Sequence, residues 1–114
     1  MISLQERQAL HQFIVLELAI KTLQKDFSQL EQLKLKTIYM TWTERILNIL
    51  YPIYQSQKRE FNEKQIRIIH WRKKDEYFSE VLIATSGEDI ILEYANQAIK
   101  AEVEQFLQGI IWKN

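Results

Sequence analysis

Hydrophobic residues in the first part of the chain recur at alternating intervals of four and three, which is the spacing of one face of an α-helix. Ser3–Glu6 precedes most of this run and has the spacing of a capping box, in which a Ser hydroxyl and a Glu carboxylate bond each other's backbone amides. We therefore predict a helix from Leu4 to about Lys25. Ser28–Glu31 repeats the capping spacing, so the chain either breaks near Phe27 or continues as one helix, because no Gly or Pro forces a break. The apolar positions are Ala9, Phe13, Leu16, Ile20, Leu23, Phe27 and Leu30.

A second run with helical spacing follows and reaches a proline. Pro52 donates no amide hydrogen and its ring clashes with the preceding turn, so we expect it to kink or end this helix. We interpret Trp42 as a core residue in preference to a ligand-binding one. The run comprises Leu35, Ile38, Trp42, Ile46, Ile49 and Ile53, flanked by Tyr39, Leu50 and Tyr54.

After residue 64 the helical spacing gives way to short runs rich in Ile, Val and aromatic residues, which is typical of β-strands. We predict three strands at 65–72, 77–85 and 89–94, and their short connections favour an antiparallel meander. Adjacent isoleucines at 68–69 and at 90–91 interrupt the alternation and indicate a bulge or burial on both faces. Helical spacing returns after Asn96, a candidate N-cap. The apolar positions there are Ile99, Val103, Phe106, Leu107 and Ile110.

These elements predict an α+β fold, with two long N-terminal helices as a hairpin, a three-stranded antiparallel meander and a C-terminal helix. We expect two layers, because an apolar sheet face needs helices to cover it. The length of 114 residues suits a single domain, 1–114, with a helical part at 4–57, a meander at 65–94 and a helix at 97–111. Only two glycines and one proline are present, which favours long elements over many tight turns.

Charge, cysteine content and hydropathy exclude several classes of protein. Fifteen Lys and Arg balance fifteen Asp and Glu, which excludes a generally basic nucleic-acid-binding chain. The absence of Cys excludes disulfide scaffolds, thiolate metal sites and cysteine nucleophiles. The N-terminal residues do not resemble a secretory signal, and Glu17 interrupts an early apolar stretch that is too short to span a bilayer. We expect a cytoplasmic protein that does not bind membranes, and its residue usage suits a small bacterial or phage protein.

Local motifs for catalysis, metal binding or cofactor binding are absent from the sequence. Gly87 and Gly109 are isolated, which excludes glycine-rich phosphate-binding loops, and no serine lies in a nucleophile elbow. His11 and His70 have no second His or carboxylate at helical metal-ligand spacing. We therefore predict no catalytic residue, no metal site, no cofactor and no enzymatic activity. A concave pocket holding either histidine beside carboxylates would be the sign of an enzyme.

Charge is unevenly distributed along the chain. Residues 58–74 carry seven Lys and Arg against two Glu, and residues 75–114 carry eight Asp and Glu against two Lys. Cations around a Trp are what single-stranded nucleic acid requires, because its phosphates need charge and its bases need flat faces. The alternative, to which we give more weight, is a solvated strand edge that pairs with Glu80 or Glu93, with Trp71 in the core. The candidate nucleic-acid-binding residues are Lys58, Arg59, Lys64, Arg67, His70, Trp71, Arg72, Lys73 and Lys74.

We favour a non-enzymatic interaction or regulatory module that binds a protein partner, or a second copy of itself, through a helical face. The first helix is long and its stripe has a near-heptad spacing, although packing against the second helix of the same chain is the alternative. Three helices and a small sheet offer more apolar surface than one core needs, and such a surplus is usually buried by association. The candidate interface residues are Phe13, Leu16, Ile20, Leu23 and Phe27, and nucleic-acid binding is the second hypothesis.

Overall fold

The chain forms two helices, a three-stranded antiparallel sheet and a third helix, in the predicted order, which confirms the α+β fold class. The computed structural model describes residues 2–113, so the first and last residues of the predicted 1–114 domain lie outside the described residues. The elements are α1 (Leu4–Phe27), a 3₁₀ turn (Leu30–Gln32), α2 (Lys36–Glu63), β1 (Arg67–Lys73), β2 (Phe78–Ala84), β3 (Ile90–Ala95) and α3 (Asn96–Lys113).

The start of α1 agrees with the first capping pattern of the sequence, whereas the second, at Ser28–Glu31, forms no capping box, because Ser28 Oγ donates to the Lys25 carbonyl. The Glu6 backbone amide donates to Ser3 Oγ at 3.1 Å, and the Ser3 amide donates to Glu6 Oε1 at 3.4 Å. Both bonds of the predicted capping box are therefore present. The helix ends at Phe27 and the 3₁₀ turn separates it from α2, so α1 and α2 are two helices and not one.

Pro52 does not end α2, so of the two expected effects, a kink or an end, the second is wrong. The helix continues through Pro52 to Glu63, so the helical part extends beyond the expected boundary at residue 57. Side chains buried on both sides of the proline, Leu50 and Phe61, hold the two halves against the rest of the protein. Pro52 and Asn48 are exposed, so water can reach the stretch of backbone where the proline removes one hydrogen bond.

A left-handed residue joins α2 to the sheet. Gln65 has a φ of 61°, the conformation in which helices commonly terminate, although glycine is the usual residue there. The Ile66 amide then donates to the Phe61 carbonyl at 2.8 Å, which closes the end of the helix. Ile66 is buried, so this sharp turn also places the chain at the core as β1 begins.

The sheet has the order β1-β2-β3 and contains one irregularity. The register between β1 and β2 shifts between Ile68 and His70, which confirms a bulge at the first pair of adjacent isoleucines. At the second pair of isoleucines, residues 90 and 91, the register between β2 and β3 is continuous. Successive side chains point to opposite faces of the sheet there, which leaves Ile91 exposed.

Asn96 does not act as the expected N-cap. Its side-chain amide donates to the backbone carbonyls of Glu76 at 3.0 Å and Asp75 at 3.4 Å. Its side-chain oxygen accepts from Ser79 Oγ at 2.6 Å. The side chain therefore fastens the start of α3 to the β1–β2 turn and to β2.

The helix α1 lies at the centre of the fold. Its N-terminal half packs on the inner face of the sheet through Phe13 and Ile14, which contact Val81 and Ile83. Other faces of α1 contact α3 and α2, and these contacts form two further apolar clusters. The inner sheet face is thus covered, as the two-layer expectation requires.

Candidate interaction surface

A line of large apolar side chains on α2 remains in contact with water. Leu35, the N-cap residue of α2, is 55% exposed, and Ile38, Tyr39, Trp42 and Ile53 within the helix are between 40% and 59% exposed. Spacings of three, four and eleven residues place the members within the helix on one side of it. Together with the half-buried Ile46 and Ile49 they form a surface that we call the α2 stripe.

The expectation that Trp42 is a core residue is wrong, since its exposed fraction is 54%. The reason is that α2 has two apolar faces. Leu47, Leu50 and Phe61 are buried, and Leu47 and Leu50 pack against α1. Leu47 follows Trp42 by five residues, which is about 140° around a helix of 3.6 residues per turn. The face of α2 that packs on α1 is therefore not the face that carries the longer periodic run in the sequence.

The residues that the sequence suggested as a partner interface lie on α1, and most of them belong to the protein's own core. Phe13, Leu16 and Ile20 are buried. Leu23 packs beside Leu16, and Phe27 lines a cleft of about 450 Å³ with Leu47 and Tyr51. Packing within the chain, which was the alternative, accounts for the buried members Phe13, Leu16 and Ile20.

The α2 stripe borders a groove between α2 and α3. The groove has a volume of about 820 Å³ and its floor is formed by α1. Its apolar part consists of Val15 and Leu16 on α1, Ile49 and Ile53 on α2, and Phe106 and Ile110 on α3. Its polar part consists of His11, Gln12, Gln57, Glu102 and Gln105. The apolar surface of the stripe therefore continues into a concave surface made by all three helices.

His11, Tyr94 and Glu102 meet beside the groove, although they are far apart in the sequence. His11 Nε2 lies 2.6 Å from Glu102 Oε2, and His11 Nδ1 lies 3.0 Å from the Tyr94 hydroxyl. An ionised carboxylate only accepts hydrogen bonds, so Nε2 carries the hydrogen in the pair with Glu102. Burial, and next the charge of Glu102, raise the pKa of Tyr94.

This cluster has part of the arrangement that would indicate an enzyme, because a histidine lies beside a carboxylate at a groove. Both ring nitrogens of His11 are hydrogen-bonded within the chain, to Tyr94 and to Glu102. The three residues connect α1, β3 and α3 and are suited to fixing the geometry of the groove. Sequence reasoning missed Tyr94 and Glu102 because their separations from His11 are 83 and 91 residues.

Some cations of the basic segment, residues 58–74, form ion pairs and others do not. Arg72 Nη2 lies 2.5 Å from Glu80 Oε2, and Lys74 Nζ lies 3.0 Å from Glu93 Oε2. The hydrogen bond to Glu93, and next its charge, raise the pKa of Lys74. In the described part of the chain the remaining Lys and Arg of the segment form no ion pair. These unpaired residues are Lys58, Arg59, Lys64, Arg67 and Lys73, all exposed.

Trp71 faces the core and not the outer face of the sheet. It is opposite the buried Val81 and packs on Tyr94 with ring centroids 5.7 Å apart. The next residue, Arg72, is opposite Glu80 on the other face, because successive strand residues point to opposite sides. Trp71 and Arg72 therefore do not present an aromatic ring and a cation on one surface, and His70 is exposed away from Trp71.

Neither a metal-binding cluster nor a membrane-spanning helix is found among residues 2–113. Within this range no group of three or more His, Asp or Glu side chains is arranged to hold a metal ion. None of the helices described here has the length and apolar character needed to cross a bilayer.

A comparison with protein families identifies the chain. The model of the family described as YhjD protein matches residues 1–113, so the chain belongs to the YhjD protein family. Neither the curated proteins nor the solved structures give a match. The family description names no activity.

Proposed function

We propose that this member of the YhjD protein family is a non-enzymatic cytoplasmic interaction module whose α2 stripe packs against an apolar helical surface of a protein partner. The observation that carries the proposal is the set of five large side chains exposed by 40% to 59% along one side of a single helix. Single exposed apolar residues are normal on proteins, but a contiguous line of them marks a site of association.

The size of this surface supports an interface. Complete burial of a large apolar side chain contributes about 1.5–3 kcal/mol, and the five exposed members of the stripe are about half buried already. Covering them would contribute roughly 5 kcal/mol before the cost of association, and the groove beside them adds further apolar area. An affinity in the micromolar range corresponds to about 8 kcal/mol, so the stripe supplies a large part of what such a complex needs.

The shape of the surface indicates the kind of partner. Three helices surround the groove, and a fourth helix laid along the α2 stripe would complete a four-helix arrangement with side chains interlocking at the seam. A partner helix with its own apolar residues at spacings of three and four fits this surface.

Photo-crosslinking in cells that express the protein tests the proposal. A photoreactive residue at position 42 should give a covalent protein adduct, because Trp42 lies in the stripe. The same residue at position 55 is the matched control, since Gln55 is exposed on the same helix about 140° away from Trp42 and adds the same chemistry. Absence of an adduct at position 42, or equal adducts at both positions, would refute an interface on the stripe.

Nucleic-acid binding is the second candidate, supported by the five exposed cations that form no ion pair in the described residues. Lys58 and Arg67 line the same small cavity, so the end of α2 and the start of β1 bring positive charge together. Such a surface would contact phosphates without reading bases, because Trp71 is turned inward. The gel-shift experiment in the Discussion tests this candidate.

A further inference from the structure

We propose that the partner of the α2 stripe is a second copy of this chain, with the two α2 helices antiparallel and Trp42 of each copy seated in the groove of the other. This inference rests on the proposed function and specifies its partner. It follows from two features of the same surface, a protruding aromatic ring and a groove that is open to receive one.

The exposed ring and the groove lie at different places along one stripe. Trp42 is 54% exposed near the middle of the stripe, and Ile49 and Ile53 form a groove wall at its C-terminal end. A twofold interface requires that one surface be complementary to itself, so a surface with both a protruding and a concave part is what a symmetric dimer needs. Trp42 and Ile49 are separated by seven residues, or about 10 Å along the helix, which puts the twofold axis near residues 45 and 46.

Antiparallel pairing about this axis brings two pairs of large apolar residues of the stripe opposite each other. Trp42 then faces Ile49 of the partner copy, and Ile38 faces Ile53. Each groove receives an aromatic ring between its two apolar walls. Parallel pairing would instead place Trp42 beside its own copy and would leave both grooves open.

The charges on α2 are compatible with this pairing. Glu44 is the single carboxylate of α2 between Leu35 and Ile53, and it lies away from the stripe, in the cleft beside Phe27. Arg45 lies near the proposed axis, and its long side chain allows the guanidinium group to reach water at the edge of the contact. Glu102 lines the groove and is paired with His11, so no carboxylate would be buried without a partner at the contact.

The area is sufficient for a specific dimer. At roughly 100 Å² for each large side chain withdrawn from water, the stripe and the apolar groove walls offer about 600–800 Å² per copy. Specific interfaces bury about 1,200–2,000 Å² in total, so this surface reaches the lower part of that range. We expect a dimer that dissociates in the micromolar range.

Light scattering coupled to size-exclusion chromatography, from about 1 to about 500 µM, measures the dimer. Trp42→Glu should weaken it by at least about 30-fold, because it removes a central aromatic anchor and buries a charge. Gln55→Glu, which adds the same charge on the other side of α2, should leave it unchanged. Both positions are exposed, so circular dichroism should show intact folds. A monomer over the whole range, or a dimer insensitive to Trp42→Glu, would overturn the proposal.

Disulfide mapping tests the antiparallel arrangement on an otherwise native chain, because the protein has no cysteine. Ile38→Cys and Ile53→Cys proteins, mixed under mild oxidation, should form a mixed disulfide dimer, since a disulfide requires Cα atoms about 4.4–6.8 Å apart. Ile38→Cys mixed with Gln55→Cys is the matched control and should not crosslink.

A self-crosslink of Ile38→Cys alone would show parallel pairing and would contradict the arrangement. In the photo-crosslinking experiment at position 42, an adduct with a mass other than twice the chain would overturn the second copy as partner. That result would still leave the stripe as an interface, so the two proposals fail separately.

Discussion

Replacing Pro52 by alanine should stabilise the protein. Pro52 lies inside α2, where it supplies no amide hydrogen for the carbonyl of Asn48 and its ring crowds that carbonyl. The Pro52 side chain is exposed, so its removal leaves no cavity. Alanine restores the missing hydrogen bond in a helix that is already formed on both sides.

The expected gain follows from helix propensities. Proline is about 3 kcal/mol less favourable than alanine within a helix. Alanine also gives the unfolded chain more freedom, which reduces stability by about 0.4–1 kcal/mol. Because the free carbonyl of Asn48 is accessible to water, restoring its hydrogen bond gains less than it would in the core. We therefore expect the free energy of unfolding to rise by about 2 kcal/mol and Tm to rise by roughly 8 °C for a domain of this size.

Urea unfolding followed by circular dichroism measures this difference. Gln55→Ala is the control, because it changes an exposed residue of the same helix and should alter stability by only a few tenths of a kcal/mol. All variants are compared at one protein concentration, since self-association also raises Tm. A loss of stability in Pro52→Ala would refute the reasoning and show that packing on α1 and on the sheet requires the helix shape that Pro52 imposes.

Three further predictions follow from other parts of the molecule. Gly109→Ala should raise the free energy of unfolding by about 0.5–1 kcal/mol in thermal or urea unfolding, because an added Cβ meets no atom within 4 Å. Burial, with the nearby Glu17 carboxylate, raises the pKa of Tyr54 from 10.0 to about 12, so the folded state keeps a proton that the unfolded state releases. Stability should therefore fall as pH rises from 10 towards 12 and level off above, and Tyr54→Phe should show less of this decline in urea titrations. If the unpaired cations bind nucleic acid, Lys58→Glu with Lys64→Glu should abolish a gel shift of single-stranded DNA that also weakens with salt; no shift for the native protein at low salt would exclude this function.

Much of the fold could be predicted from local signals, because these depend on neighbours in the sequence. The capping box at Ser3 and Glu6 begins α1 where expected, and the adjacent isoleucines near residue 69 mark a bulge. The sequence does not show that α2 continues through Pro52. Proline destabilises the helix locally, while the buried contacts of Leu50 and Phe61 on either side outweigh that cost.

The candidate surface could be predicted only in part. The apolar spacing of Leu35, Ile38 and Trp42 is plain in the sequence, but periodicity shows only that a helix face is apolar and not what covers it. The ion pairs of the sheet are also predictable only in part. The sequence indicates that Glu80 or Glu93 pairs with the cations of β1, but only the structure shows that Glu80 pairs with Arg72 and Glu93 with Lys74.

The sequence by itself determined the class and order of the elements, because helix and strand periodicity, caps and turns act over a few residues. Only the tertiary structure decided which apolar face of α2 meets α1, and so left Trp42 exposed beside an open groove. It also joined His11 to Tyr94 and Glu102, across 83 and 91 residues. The physical reason is that burial depends on how whole helices pack against one another, and no local pattern records that choice.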